Sequence, residues 1–214
     1  MSPSETDLPV WDMRMMLLIH SALLRDFNLI RDALDDAPTT ALLERWQLAR
    51  DILHHHQQAE DASLWPLLES RAADDDEARG VLMAMQSEHG EIDPLVETVD
   101  ESIEQGVDLA ILRRRLGTLI AAMQAHFAHE EQAALPLLAR SVPLARRREF
   151  ERQQRDSMDP EQRLMFFPWL VDGADSADAD FVWTKVPWFV RRLVRGKGER
   201  QYQELTLAAF GEDV

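Results

Sequence analysis

The chain has 214 residues, 45% hydrophobic and 29% charged, which is enough for one domain with a real core plus an elaboration. It contains no cysteine, so disulfides, thiolate metal sites and cysteine nucleophiles are excluded. Its net charge of −16 argues against a nucleic acid partner, because phosphate contacts need a basic surface. Residues 1–140 carry most of that charge, with 11 Lys/Arg against 26 Asp/Glu.

The predicted elements are almost all helical: glycine is scarce and β-branched runs are absent. A first helix is expected from about Val10 to Asp36, burying Leu17, Leu24, Phe27 and Leu34, with Pro38 ending it. Its apolar stretch Met15–Leu24 is too short for a bilayer and contains His20 and Ser21. The chain also lacks a signal-peptide layout, so a cytoplasmic protein with no membrane partner is expected. Thr39 or Thr40 caps a second helix that carries Leu43, Trp46 and Ile52 and runs past His56 to about Arg71. The acidic run Asp74–Glu77 starts a third helix ending near Gly106. Asp108 caps a fourth, which runs to about Ser141. Long helices with short connections predict an all-α fold: an antiparallel up-down four-helix bundle over residues 10–141. Pro66, Pro94 and Pro136 each remove a backbone donor and should kink or end their helices.

Residues 142–214 read as a short-helical, aromatic-rich extension packed on the bundle. A helix over Pro143–Met158 leads to Asp159–Pro160, a cap followed by proline at the first helical position. Phe166, Phe167 and Trp169 follow, then a polar loop (Asp172–Asp180), then Phe181, Trp183, Trp188 and Phe189. The basic clusters Arg146–Arg148 and Arg191–Arg200 read as solvated helix faces.

A repeat runs through the bundle. Residues 56–71 are HQQAEDASLWPLLESR and residues 126–141 are HFAHEEQAALPLLARS. In both, a histidine is followed four residues later by a glutamate, then by a second carboxylate, a proline and a leucine pair at matching offsets. Positions i and i+4 share a helix face, so His56 with Glu60 and His126 with Glu130 each form a metal-binding half-site. His20 precedes His56 by 36 residues and His89 precedes His126 by 37, with Met16 and Met85 one turn upstream. Two histidines and a carboxylate per half, related by a pseudo-twofold axis, make a cage with room for two metals. Nitrogen and oxygen donors without sulfur suit Fe, Mn or Zn, and iron fits best. Too few ligands are present to close two octahedra, which leaves positions for water, an oxo bridge or a small oxidant.

Around the cage, Met16, Met85 and Met123 read as apolar packing. His54, His55 and His129 read as rim residues. Glu88, Asp61 and Glu131 are placed to accept hydrogen bonds from the histidines. Tyr202, the chain's only tyrosine, either packs ordinarily or reaches the metals if the tail folds across the open end.

These residues carry a resemblance. His20, H56xxxE60D61xxLWPLL, His89 and H126xxxE130E131xxxLPLL resemble the hemerythrin-like (HHE cation-binding) family over about residues 10–141. The resemblance implies two non-haem irons bridged by Glu60 and Glu130, and chemistry with O2, H2O2 or NO. Oxygen-carrying members have HxxxH on the third helix, whereas this chain has M85xxxH89. Some relatives carry glutamate just after the second-helix histidine, where this chain has Gln57. Three functions remain open: binding or sensing a small oxidant, catalase-like peroxide disproportionation, or oxygenation of an organic substrate with Trp169, Trp183 or Trp188 walling a pocket. The aromatic C-terminal region resembles an extension found in some bacterial members.

Overall fold

The structure, a computed structural model, describes residues 13–34, 39–71, 74–158 and 160–211. The described residues are predominantly helical, with no strand among them. Helix α1 spans Arg14–Asp32 and α2 spans Thr40–Ala59. A π turn, Glu60–Leu64, joins α2 to α3 (Trp65–Glu69). Helix α4 is Asp76–Glu104 and α5 is Leu109–His129. A second π turn, Glu130–Ala134, joins α5 to α6 (Leu135–Ser141).

The caps follow the sequence. Thr39 accepts from the amide of Leu42 at 3.1 Å, Asp75 from Ala78 at 3.1 Å and Asp108 from Ala110 at 2.8 Å. The expected helix start at Val10 and the stop at Pro38 lie outside the described residues. On α1 the register differs slightly from expectation: Leu18 and Leu23 are buried, while Leu17 and Leu24 are half-buried. On α2 Leu42 is buried and Leu43 half-buried.

None of the three internal prolines ends its helix. Helix α4 runs through Pro94. Before Pro66 and Pro136 the chain widens into the two π turns, in which Trp65 bonds back to the carbonyl of Glu60 and Leu135 to that of Glu130. A proline ring clashes with the carbonyl four residues earlier in an α-helix, and the wider turn moves that carbonyl aside. Each π turn therefore begins at one of the two repeated glutamates.

The apolar side chains form two clusters. One contains Leu23, Phe27, Leu53, Ile92 and Phe127; the other contains Met16, Leu64, Met85, Ala134 and Leu138. Along α1, along α4, and along the α2–α3 and α5–α6 stretches, the repeated histidine lies near where residues of one cluster give way to residues of the other. Helix α1 packs on α2 and α5, and α5 packs on α4.

Residues beyond Ser141 form α7 (Leu144–Ser157), α8 (Pro160–Val171), α9 (Ser176–Thr184), α10 (Trp188–Leu193) and α11 (Glu199–Phe210), with a π turn at Val194–Gly198. The expected cap at Asp159 lies outside the described residues. The polar loop is shorter than expected: Asp175 caps α9, accepting from Asp178 N at 2.8 Å, so Ser176–Asp180 is helical. Phe166, Phe167, Trp169, Trp183 and Tyr202 join the first apolar cluster, whereas Trp188 (79% exposed) and Phe189 (62%) face outward. Gly198 lets α8 come close, because a Cβ there would meet the carbonyl oxygen of Leu164 at 2.2 Å.

A buried ionic network pins this region to the bundle. Arg45 grips Asp26 bidentately, Nε to Oδ2 at 2.8 Å and Nη2 to Oδ1 at 2.9 Å, with both side chains fully buried. Trp169 Nε1 donates to the same carboxylate at 2.9 Å. Arg45 also donates to the Tyr202 hydroxyl, which in turn donates to Asp172 Oδ2 at 2.6 Å. Asp26 and Arg45 went unread in the sequence, although a charged residue within each apolar stripe was the available sign.

Candidate metal centre

Six polar side chains occupy the level between the apolar clusters. Helix α1 contributes His20, α2 His56, α4 His89 and α5 His126; the π turns contribute Glu60 and Glu130. All six are buried, both glutamates completely. Donor atoms of His20, His56, Glu60 and Glu130 lie within 4.8 Å of one another, and so do those of Glu60, His89 and His126.

The contacts follow the repeat. His20 Nε2 lies 3.1 Å from His56 Nε2, and His89 Nε2 lies 3.1 Å from His126 Nε2. Glu60 faces His56 at 3.3 Å and His89 at 3.4 Å. Glu130 faces His20 at 3.1 Å and His126 at 4.0 Å. Each glutamate thus sits against one histidine from each half.

Carboxylates behind the rings orient them. His20 Nδ1 is 2.8 Å from Glu131, His89 Nδ1 is 3.1 Å from Asp61, and His126 Nδ1 is 2.8 Å from Glu88. A carboxylate accepts, so each Nδ1 carries the proton and each neutral ring turns a bare Nε2 inward. The facing Nε2 atoms of His89 and His126 are then two lone pairs at close range. The four carboxylate oxygens of Glu60 and Glu130 are buried without a hydrogen bond. Unmatched acceptors converging on one buried space fit cations, which relieve both conditions together.

Without a cation, protons must do this work. Burial opposes charge on His20, but Glu130 and Glu131 outweigh it and raise the ring to about 9. Burial likewise opposes charge on His89, and Glu60 with Asp61 raises it to about 9. Burial and the neighbouring Glu130 push Glu60 up to about 8. His56 is driven well below its ordinary value by burial and the surrounding histidines, and His126 is lowered by burial against the pull of Glu88. Metal-free folded protein therefore holds more protons than the unfolded chain between about pH 6.5 and 9, and its stability falls as pH rises through that window. The depressed His56 and His126 act oppositely, and their contribution is lost as pH falls below about 6.5. Metal binding needs the deprotonated ligands and strengthens across the same range. In calorimetry, the Tm of chelator-treated protein should drop from about pH 6.5 to about 8.5, and added Zn(II) should raise Tm more at the upper pH. A smaller metal-induced rise at the upper pH would contradict this assignment of protons.

The family model of the hemerythrin HHE cation binding domain matches residues 13–138, a span containing all six clustered residues. The chain belongs to the hemerythrin HHE cation-binding family. No curated protein and no solved structure matches it. No helix among the described residues is long and apolar enough to cross a membrane.

The remaining candidate residues of this hemerythrin-family chain fall into place by packing. Met85 is fully buried in the second apolar cluster beside Met16 and Leu82. Gln57 is 4% exposed, and its Nε2 has no hydrogen-bond partner. The Tyr202 phenol is engaged by Arg45 and Asp172 rather than by the histidines, because α11 packs on α2 at the Arg45 level. Of the two readings the sequence left open for Tyr202, the contacts are those of packing within a buried polar network. His54 is exposed, His55 is half-buried, and His129 pairs with Glu88 at 2.6 Å. Phe127 stacks on His20 with centroids 4.0 Å apart and planes 3° apart, a contact the sequence did not announce.

The orienting carboxylates give a prediction of intermediate size. Asp61→Asn, Glu88→Gln or Glu131→Gln weakens the acceptor behind one ring and should lower metal affinity about 10- to 100-fold while the fold persists. A competition titration against a chelator measures it. Affinity unchanged in all three variants would mean that ring orientation is set by packing alone.

Proposed function

We propose that the cluster holds two non-haem iron ions. His20 and His56 serve one, His89 and His126 serve the other, and Glu60 and Glu130 are shared between them. The observation that carries this reading is that each buried glutamate faces a histidine from both halves of the repeat. The bound irons supply open positions and a redox couple for a small oxidant: O2, H2O2 or NO. The protein holds the bare Nε2 atoms inward through Glu131, Asp61 and Glu88, and its two apolar clusters keep bulk water from the buried carboxylates.

Met85 stands where oxygen carriers of the family have a histidine. Its thioether is a poor donor for ferric iron, so the centre has one nitrogen ligand fewer and suits reaction with an oxidant better than reversible carriage. Peroxide disproportionation is one form of that reactivity. Oxygenation of an organic substrate is the second reading, favoured by an apolar cavity that reaches His56 and Glu60. Its walls are not the expected tryptophans: Trp169 turns its indole to Asp26, Trp183 packs under Arg195, and Trp188 is exposed.

The topology proposed with this site is the antiparallel up-down bundle over residues 10–141, with residues 142–214 as an extension. In support, α1 and α4 run from the second apolar cluster to the first, while the α2–α3 and α5–α6 stretches run the other way.

Metal analysis tests the centre. After iron loading, the purified chain should retain about two irons, and NO or azide should change its visible spectrum. Retention of one ion per chain under saturating iron would overturn the shared-glutamate arrangement.

A further inference from the structure

Among the differences between the two halves of the repeat, one lies beside the cage. Position 88 precedes His89 as position 19 precedes His20. In the second half Glu88 closes the space behind His126, pairing with both His126 and His129. In the first half the equivalent residue is Ile19, and a cavity of about 110 Å³ opens there, reaching His56 and Glu60. The far wall comes from the C-terminal region: Phe150, Met158, Phe166 and Phe167.

We propose that this cavity binds a monocyclic aromatic molecule carrying one hydroxyl, a phenol, against the His56–Glu60 wall. That the ligand would be a substrate rests on the metal-centre reading above; its binding does not. The volume is of the order of an apolar cavity of ~150 Å³ that takes up benzene. Three phenylalanines offer ring faces and edges. Met16 and Met158 supply adaptable side chains and sulfur–aromatic contacts. Among the polar groups on the wall, His55 marks where a hydroxyl would point: its Nε2 is buried with no hydrogen-bond partner, and the Glu60 oxygens on the same wall are likewise without one. A hydroxyl both donates and accepts, so it satisfies that nitrogen in either tautomer. A carboxylate substituent suits the cavity less well. Lys185 is paired with Glu151 at 3.0 Å, Arg147 gives its Nε to the Val142 carbonyl at 3.1 Å, and Glu60 lines the same wall.

The test is a calorimetric titration of the full chain with phenol, in chelator-treated and iron-loaded forms, with toluene and benzoate as comparators. Phenol should bind saturably at one site in both forms. Met158→Trp, which fills the cavity from the segment between α7 and α8, should weaken phenol about tenfold or more. Ile52→Phe, filling it from α2, serves where Met158→Trp fails to fold. His55→Leu should weaken phenol about tenfold and leave toluene within about twofold, since only the hydroxyl loses its partner. No saturable phenol binding to folded protein, binding unaffected by the filling variants, or benzoate binding tighter than phenol would each overturn the proposal. Iron retained without phenol binding sinks this inference alone. Phenol bound by a chain that takes up no iron sinks the metal reading alone.

Discussion

Glu60→Ala and Glu130→Ala, made separately, are expected to strip the chain of most of its iron. Each glutamate is completely buried, faces a histidine from each half, and has two oxygens without hydrogen-bond partners. Removing one takes a donor from both proposed ions at once and leaves the cationic charge less compensated in a space that water does not reach. Losing a single histidine affects one ion, so His126→Ala should cost less. His54→Ala, on the exposed face of α2, should cost nothing. The measurement is iron per chain after equilibration with a weak chelator: about two in the parent, below about one in either glutamate variant. The metal-free variants give a second, independent sign. Burial strongly disfavours the Glu60 carboxylate, and its pKa is pushed up to about 8. Glu60→Gln should therefore flatten the loss of stability above neutral pH in chelator-treated protein. Iron retention equal to that of His54→Ala would show that the inward face has been misassigned.

Asp26→Ala carries the largest expected effect on stability, about 3–5 kcal/mol. It leaves the Arg45 guanidinium buried and without the carboxylate that holds it, and deprives Trp169 Nε1 of its acceptor. For a chain of this length that corresponds to a fall in Tm of about 6–20 °C. The burden falls on the loss of one partner rather than on the absence of an ion pair. Replacing Asp26 and Arg45 together by leucine and methionine should therefore recover much of the loss. Tyr202→Phe, which removes only the hydroxyl between Arg45 and Asp172, should cost about 1–2 kcal/mol. Iron content of the folded variants should be unchanged, since this network lies among residues of the first apolar cluster and shares no side chain with the histidine cage. A drop in iron per folded chain would show that the two buried polar systems are coupled.

Helical periodicity, the capping residues Thr39, Asp75 and Asp108, and the duplicated H-x-x-x-E were sufficient on their own to mark four long helices and to bring His20, His56, Glu60, His89, His126 and Glu130 toward one another. Such features are local: a cap needs an oxygen near its own amides, and residues four apart share a face whatever surrounds them. The prolines after the two glutamates were visible too, but their effect was not. Whether a proline breaks, kinks or widens a helix depends on whether neighbouring packing holds the helix together, and here it produced π turns.

What only the tertiary structure decided lies between elements distant in sequence. Tyr202 belongs to Arg45 because α11 packs along α2, and no local pattern in residues 199–210 encodes that neighbour. The carboxylates behind the histidines were nameable from position, yet the pairing of His20 with Glu131, 111 residues away, is set by how α1 packs against α5. The asymmetry between Ile19 and Glu88 was present in the sequence as two letters. It became a cavity only because α7 and α8 place aromatic side chains across the gap without filling it, and the volume left between packed helices is a property of their assembly.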